Sequence, residues 1–243
     1  MSALTIPIVI VAFAYLISRD GAGFSYTSDK HNIKLNEQQK RSRFLSWVAY
    51  GLAVFAGLMV IGHAYTLAGW YGYKGMQLTL VPVLLSLGNL AGGCISGYLA
   101  MRISIRLIIT WLPVLSAVAI AGLYSVAVFT LTNADTNVVA HSDHYDHYWL
   151  VAAAFIVVGL AYGATIALYP VLIFDLYGKS LSAKTYGQVF TAWGFAGLIA
   201  PTAAGLLYDS FSSYLPALAI ATALSLMSTV VIRRLPTQTE LLQ

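Results

Sequence analysis

Charged residues are scarce in this chain of 243 residues, and their scarcity decides its class. Only 9% of the residues are Asp, Glu, Lys or Arg, whereas 59% are hydrophobic. Because a soluble domain has about a quarter charged residues, the composition excludes that class and predicts an all-α polytopic membrane protein. The net charge of +4 indicates no nucleic-acid partner, since the basic residues stand in short segments between apolar runs.

Cysteine and the common catalytic motifs are also missing. The single cysteine, Cys94, lies in an apolar segment, which excludes an intramolecular disulfide. The chain contains no G-x-S-x-G elbow, no GxxxxGK[ST] phosphate loop and no H-E-x-x-H pair. We therefore expect a protein that is not an enzyme, has no cofactor, and depends on another protein for any use of ATP.

One short segment, HSDHYDH, does have metal-ligand residues, at His141, Asp143, His144, Asp146 and His147. On a helix, three histidines at this spacing would fan out by about 60° per step. That angle is too wide for the convergent tetrahedron that zinc requires. The segment is typical of a solvated loop, and we predict no metal site.

Seven stretches are long and apolar enough to cross a bilayer, which takes about 17–25 residues per helix. They are Ser2–Ile17, Phe44–Leu67, Met76–Met101, Leu107–Leu131, Trp149–Phe174, Gln188–Tyr208 and Tyr214–Ile232. Twelve of the thirteen Lys and Arg residues lie on one side of this arrangement, and only Lys74 lies on the other. Basic residues favour the cytoplasmic side, so we expect a multi-pass protein of the plasma (inner) membrane, with its amino terminus outside and its carboxyl terminus in the cytoplasm.

Four stretches resemble a known family. They are GLMVIGH (Gly57–His63), NLAGGCISGYLAMR (Asn89–Arg102), YGQVFTAWGFAGLIAP (Tyr186–Pro201) and the LLYD that follows. Together they resemble the carboxyl-terminal half of a major facilitator superfamily transporter, of the oxalate/formate antiporter-like or monocarboxylate transporter-like branch. The loop motif of that superfamily is altered, because Met101 stands where its aspartate would be and Ser104 where its glycine would be.

The resemblance implies an organisation in four parts. These are a first helix (1–17) equivalent to the last helix of a missing amino-terminal half, a basic cytoplasmic loop (18–43), a six-helix bundle (44–232) and a cytoplasmic tail (233–243). It also implies a secondary transporter working by alternating access, with a small organic solute as substrate and a monocarboxylate-like anion as the leading candidate. The amino-terminal half, or a second copy, would be the partner within the lipid bilayer, and truncation of the gene would explain its absence.

Two residues in the spans are candidates because they are polar. His63 is an ionisable residue well inside a span, which indicates a carboxylate-binding or proton-carrying group. Its position near the outer end of its helix equally suits a hydrogen bond to a neighbouring helix. Asn89 lies mid-span among glycines, and its amide needs either a substrate or another helix as partner.

Further candidates lie in the second half of the chain. Tyr162, Thr165 and Tyr169 share one helix face by their spacing and are expected to line a cavity or to pack against a neighbour. Trp193 lies deeper in its span than an interfacial anchor does, so it is a candidate cavity wall, with Thr191 as a weaker one. Gly93-x-x-x-Gly97 and Gly159-x-x-x-Gly163 predict close helix packing.

Two other classes of function remain open from the residues alone. Seven spans suit a receptor-like protein, although the last span has no lysine for a retinal Schiff base. A non-transporting membrane subunit is the other alternative, in which the same polar side chains would face lipid or packed helices.

Overall fold

The computed structural model describes residues 35–134 and 147–236, and all regular structure in these ranges is helical. The six helices are α1 (Glu37–Ile61), α2 (Ala64–Trp70), α3 (Gly75–Ala100), α4 (Ile105–Ala134), α5 (Tyr148–Phe211) and α6 (Leu215–Arg233). All except the short α2 are long and apolar enough to cross a membrane. The chain is therefore an integral membrane protein; the expected first span lies outside the described residues.

The start of α1 corrects one predicted boundary. Asn36 caps the helix, because its side chain accepts from the Gln39 backbone N–H at 2.7 Å while the Gln39 side chain accepts from the Asn36 N–H at 3.0 Å. This reciprocal pair satisfies two backbone donors that the first turn otherwise leaves open. The helix consequently begins at Glu37, so the end of the predicted loop 18–43 is helical.

The predicted span Phe44–Leu67 is interrupted. Backbone angles leave the helical range at His63 (φ −114°, ψ 15°), which separates α1 from α2. Gly62 stands against Pro201 of α5, where a Cβ atom on the glycine would lie 3.0 Å from the proline ring. The break ends α1 where it meets α5, and α2 begins directly after it.

The longest helix, α5, folds back on itself. Its 64 residues would extend about 96 Å if straight, about three times the thickness of the hydrocarbon core. Gly178 interrupts it with φ 68° and ψ 179°, a conformation that glycine almost alone adopts. The two arms, residues 148–177 and 179–211, contain the predicted spans Trp149–Phe174 and Gln188–Tyr208, and Tyr162 and Trp193 join them by a hydrogen bond.

Contacts at the helix ends give the directions of packed helices: α4 and α6 run in opposite directions, whereas α1 with the carboxyl arm of α5, and α3 with its amino arm, run in the same direction. At one end, Arg43 of α1 meets Gln188 of α5, and the Arg106 guanidinium donates to the Leu235 carbonyl after α6. At the other end, the Tyr148 hydroxyl donates to the Gln77 carbonyl of α3 at 3.2 Å. The basic side chains Arg43 and Arg106 thus lie at the same end of the bundle.

The tightest packing joins α3 to the amino arm of α5. Cβ atoms placed on Gly88 and Gly92 would lie under 3.0 Å from the backbone carbonyl oxygens of Ile156 and Leu160. The relation is reciprocal, because Cβ atoms on Gly159 and Gly163 would overlap the carbonyl oxygens of α3. The prediction for Gly159-x-x-x-Gly163 is confirmed, whereas the α3 partner is Gly88-x-x-x-Gly92. The predicted pair Gly93 and Gly97 is wrong, since a Cβ on Gly93 would come no nearer than 4.0 Å to the Gly163 carbonyl oxygen and a Cβ on Gly97 would meet nothing within 4 Å.

Candidate functional site

An aromatic cluster fills the space between α1 and the two arms of α5. The Trp193 indole N–H donates to the Tyr162 hydroxyl at 2.8 Å, and the indole stacks on Phe190 with ring centroids 5.4 Å apart. Tyr162 is buried and lies against Gly57, where a Cβ atom would come within 2.8 Å of its ring. Only glycine at position 57 leaves room for this ring, so α1 and α5 position the hydrogen-bonded pair together.

Two tyrosine hydroxyls in the same cluster form no hydrogen bond of good geometry among the described residues, although that of Tyr50 lies close to the Tyr186 hydroxyl. Tyr50 of α1 and Tyr169 of α5 are both 0% exposed, and their ring centroids lie 4.3 Å apart. A buried polar group without a partner costs about 1–3 kcal/mol, so such groups in a native protein call for a reason. Each hydroxyl is free to donate one hydrogen bond to an oxygen atom that reaches it.

Thr165 shares the buried face of Tyr162 and Tyr169, as its spacing predicts. Its hydroxyl, however, donates to the Ala161 carbonyl of its own helix at 2.7 Å. This common arrangement satisfies a threonine inside an apolar environment without any ligand. Within this face, the tyrosines rather than the threonine therefore have hydrogen-bonding capacity to offer.

His63 lies at the break between α1 and α2, away from the tyrosine cluster. Its Nε2 is 2.9 Å from the Pro201 carbonyl oxygen, and its Nδ1 is 3.1 Å from the Tyr214 hydroxyl. Because a carbonyl can only accept, Nε2 carries the proton and Nδ1 of the neutral ring is the acceptor. The Tyr214 hydroxyl has one proton, so it donates either to Nδ1 or to the Thr66 hydroxyl at 2.9 Å; in the second case Thr66, 3.3 Å from Nδ1, donates to that nitrogen. Both ring nitrogens are thus engaged, and the imidazole links α1, α5 and α6.

Asn89 and Thr191 occupy two further places. Asn89 is half-buried at the α3–α5 crossing, where its Oδ1 lies 2.5 Å from the position that a Cβ on Gly163 would take. Thr191 is exposed on the carboxyl arm of α5 and accepts from the indole N–H of Trp47 at 2.9 Å. The seven predicted site residues therefore do not form one site: Tyr162, Thr165, Tyr169 and Trp193 come together, while the other three lie apart.

A groove between α1 and the carboxyl arm of α5 provides open volume. One cavity of about 270 Å³ runs along Trp47, Gly51 and Phe55 on one side and Ala192 and Ile199 on the other. A second cavity of about 320 Å³ adjoins it at Trp47 and is also lined by Arg43, Phe44 and Gln188. Both approach the lower end of the volume range of small-molecule sites.

Residues that sequence reasoning missed are Tyr50, Trp47 and the hydrogen-bonded pair Arg43–Gln188, with Nη1 and Oε1 2.6 Å apart. Tyr50 offered a signal, because it stands inside an apolar run just as Trp193 does. Of the loop HSDHYDH, His147 directly precedes α5 and meets the Phe129 ring edge-on at 5.5 Å. The other four metal-ligand residues of that loop lie outside the described residues.

The arrangement is thus a helical bundle with an interior tyrosine cluster, a separate histidine link and an open groove. The chemistry within reach is hydrogen-bond donation to a small polar or anionic molecule by neutral side chains. No family model matches the chain, and no curated protein matches it significantly.

Proposed function

We propose that this protein is part of a secondary transporter of the major facilitator type, moving a small organic solute across the membrane by alternating access. The solute is a monocarboxylate-like anion. A counterpart bundle, either an amino-terminal half or a second copy of the chain, supplies the other wall of the binding cavity. The protein resides in the plasma (inner) membrane, with the basic end of the bundle in the cytoplasm.

The observation that carries the proposal is the pair of unpartnered, fully buried hydroxyls of Tyr50 and Tyr169. With the nearby Tyr162 hydroxyl, whose oxygen accepts from the Trp193 indole and whose own proton remains to donate, they form a set of neutral donors suited to the oxygens of one carboxylate. A second negative charge would need a cation, since an uncompensated charge in an apolar interior is very costly. The interior of the described helices contains no Lys or Arg beside this cluster, so a singly charged anion suits it better than a dicarboxylate.

Two breaks in the helices give the bundle places to bend between outward-open and inward-open states. Gly178 separates the arms of α5, and the break at His63 separates α1 from α2. Of the two helices that border the tyrosine cluster, α5 therefore changes direction in its middle and α1 ends at a break. Hinges of this kind absorb backbone rotation while the packed segments move as rigid bodies.

Removing the Tyr169 hydroxyl distinguishes an effect on solute transport from an effect on the stability of the fold. Tyr169→Phe removes a buried group that has no partner, so we expect the free energy of unfolding to stay equal or rise by about 1 kcal/mol. Solute uptake should nevertheless fall about tenfold, the effect of about 1.4 kcal/mol in binding. The measurement is uptake of labelled short-chain monocarboxylates into proteoliposomes that contain the chain with its counterpart half.

Tyr98→Phe is the matched control, because Tyr98 is exposed near the end of α3 and its hydroxyl is remote from the cluster. Uptake unaffected by Tyr169→Phe and Tyr50→Phe would remove the cluster from the transport path. Absence of uptake with every tested counterpart and solute would refute transport itself.

A second candidate is a non-transporting membrane subunit. It is favoured by His63, whose ring nitrogens are both hydrogen-bonded within the protein and leave none for a solute. Both ring nitrogens bond to protein atoms, as expected of a structural link between helices. Under this alternative, His63→Ala lowers stability and no substitution in the cluster alters solute binding. Under the transporter proposal, the tyrosine substitutions alter uptake while the fold is retained.

A further inference from the structure

The groove between α1 and the carboxyl arm of α5 has one charged end and a long apolar remainder. The apolar part is lined by Trp47, Gly51 and Phe55 of α1, by Ala192 and Ile199 of α5 and by Leu224 of α6. The charged end is the adjoining cavity at Arg43 and Gln188. Among the residues that line these two cavities, none is an Asp or Glu.

The length of the groove matches one leaflet of a bilayer. Arg43 and Phe55 are about 12 residues apart on one helix, which corresponds to about 18 Å. Half of a hydrocarbon core about 30 Å thick is about 15 Å, and the headgroup region begins beyond it. A cation at the headgroup level thus stands above an apolar channel that ends near the bilayer midplane.

The width of the groove suits a hydrocarbon chain better than a protein helix. A helix about 10 Å across and about 18 Å long occupies on the order of 1,400 Å³. An extended acyl chain, with carbon contacts of 3.5–4.0 Å, needs on the order of 300 Å³ over the same length. The two cavities along this length, about 270 Å³ and about 320 Å³, are together less than half the volume of a helix and leave room for an acyl chain.

At the polar end, hydrogen bonds position the Arg43 guanidinium without neutralising its charge. The Arg43 guanidinium donates to the neutral Gln188 amide at 2.6 Å, and the Trp47 indole N–H donates to Thr191 at 2.9 Å. Tryptophan at this depth is typical of the membrane interface. The neighbouring Lys40 is paired with Glu37 at 2.7 Å, whereas Arg43 retains its full charge toward the groove.

We propose that this groove binds one anionic phospholipid, with its phosphate on Arg43 and an acyl chain along Gly51 and Phe55. The orientation expected from the basic residues places the site in the cytoplasmic leaflet, where anionic lipids are concentrated. The site is distinct from the proposed solute path, because the residues that line the groove do not include the buried tyrosines. Bound lipid would fill the space between α1 and the carboxyl arm of α5 and so stabilise their contact.

Native mass spectrometry of the purified full chain tests the proposal with phosphatidylglycerol and phosphatidylcholine of identical acyl chains. Phosphatidylglycerol should bind more tightly, and Arg43→Gln should weaken it about five-fold, because one basic group contributes about 1 kcal/mol. Phosphatidylcholine binding should change little. Arg41→Gln is the matched control, since Arg41 is exposed two residues away and does not line the groove.

A second variant tests the apolar part of the site. Leu52→Trp fills the groove that Leu52 lines, so both lipids should be lost while the thermal unfolding temperature of the protein is retained. Leu90→Trp, on the exposed face of α3, should leave lipid binding unchanged. Equal affinity for the two lipids, or equal losses in Arg41→Gln and Arg43→Gln, would overturn the proposal. So would a photocrosslinking amino acid in place of Leu52 that captures a protein chain instead of lipid.

Discussion

The two arms of α5 are held in different ways. The amino arm meets α3 backbone to backbone, with Gly88 and Gly92 against its carbonyl oxygens. The carboxyl arm comes close to the α1 backbone at Gly62 and Pro201, but its first turns meet α1 through side chains, where Trp47 and Arg43 reach across a groove with open volume to Thr191 and Gln188. One half of α5 is thus fixed by close approach, and the other half by contacts that can be exchanged.

The difference indicates which part of the bundle is able to move. Carbonyl oxygens seated on glycines leave no room for sliding, because a shift of one residue brings a side chain into the crossing. Side-chain hydrogen bonds across a groove tolerate small shifts, since long side chains follow the backbone. We expect α3 and the amino arm to move as one body and the carboxyl arm to move against them about Gly178.

The largest expected effect comes from adding one methyl group to the crossing. Gly92→Ala places a Cβ under 3.0 Å from the Leu160 carbonyl, which is backbone and cannot rotate away. Overpacking of this kind costs about 3 kcal/mol, so the free energy of unfolding in mixed micelles should fall by that amount. Titration with sodium dodecyl sulfate, followed by tryptophan fluorescence, measures it.

Gly97→Ala is the control on the same helix, since its Cβ would meet nothing within 4 Å. Replacing a helical glycine by alanine then gains up to about 1 kcal/mol. Equal stability of the two variants would mean that α3 and α5 do not cross at these glycines, and the contrast between the arms would disappear.

A smaller effect is expected at the turn between the arms. Gly178→Ala forces a Cβ into a backbone conformation at φ 68° and ψ 179° that costs about 1–3 kcal/mol. We expect the free energy of unfolding to fall by about 2 kcal/mol in the same titration. Gly187→Ala, in open space on the carboxyl arm without a positive φ, should lose nothing. A harmless Gly178→Ala would show that α5 turns elsewhere.

Sequence reasoning predicted the spans but not how they contact each other. Apolar length alone located α3, α4, α6 and both arms of α5, because a membrane demands about 17–25 apolar residues whatever the neighbours are. Gly88-x-x-x-Gly92 and Gly93-x-x-x-Gly97 have the same spacing, and only the rotation of α3 decides which pair meets α5. That rotation follows from Val81 and Leu85, which are buried on the same side as Gly88.

The candidate site was predictable in part for a similar reason. The spacing of Tyr162, Thr165 and Tyr169 places them on one face of any helix, and this face is buried. Nothing local in the sequence indicates that the ring of Tyr50, on another helix, contacts that of Tyr169, because this contact depends on the pairing of α1 with α5. The sharp turn at Gly178 could not be predicted. The polar segment around it, including Tyr177 and Lys179, is equally compatible with an irregular loop and with two helices joined at one glycine.

The smallest expected effect is a difference between the coupling energies of two hydrogen bonds made by the carboxyl arm. Tyr162→Phe and Trp193→Phe, with the double variant, isolate the buried bond of 2.8 Å between these side chains. Hydrogen bonds between membrane helices contribute about 0.6 kcal/mol on average and at most about 1.7 kcal/mol. We expect a coupling energy near 1 kcal/mol, because Tyr162 is buried and water does not compete for its hydroxyl.

The same cycle at Trp47 and Thr191, with Trp47→Phe and Thr191→Val, tests the groove. Thr191 is exposed and also donates to the Gln188 carbonyl at 2.7 Å, so loss of the indole bond leaves it satisfied. The coupling energy should therefore be about half of that for the buried pair or less. A groove bond as strong as the interior bond would mean that the carboxyl arm is held rigidly on both sides, and the movable half of α5 would have to be sought elsewhere.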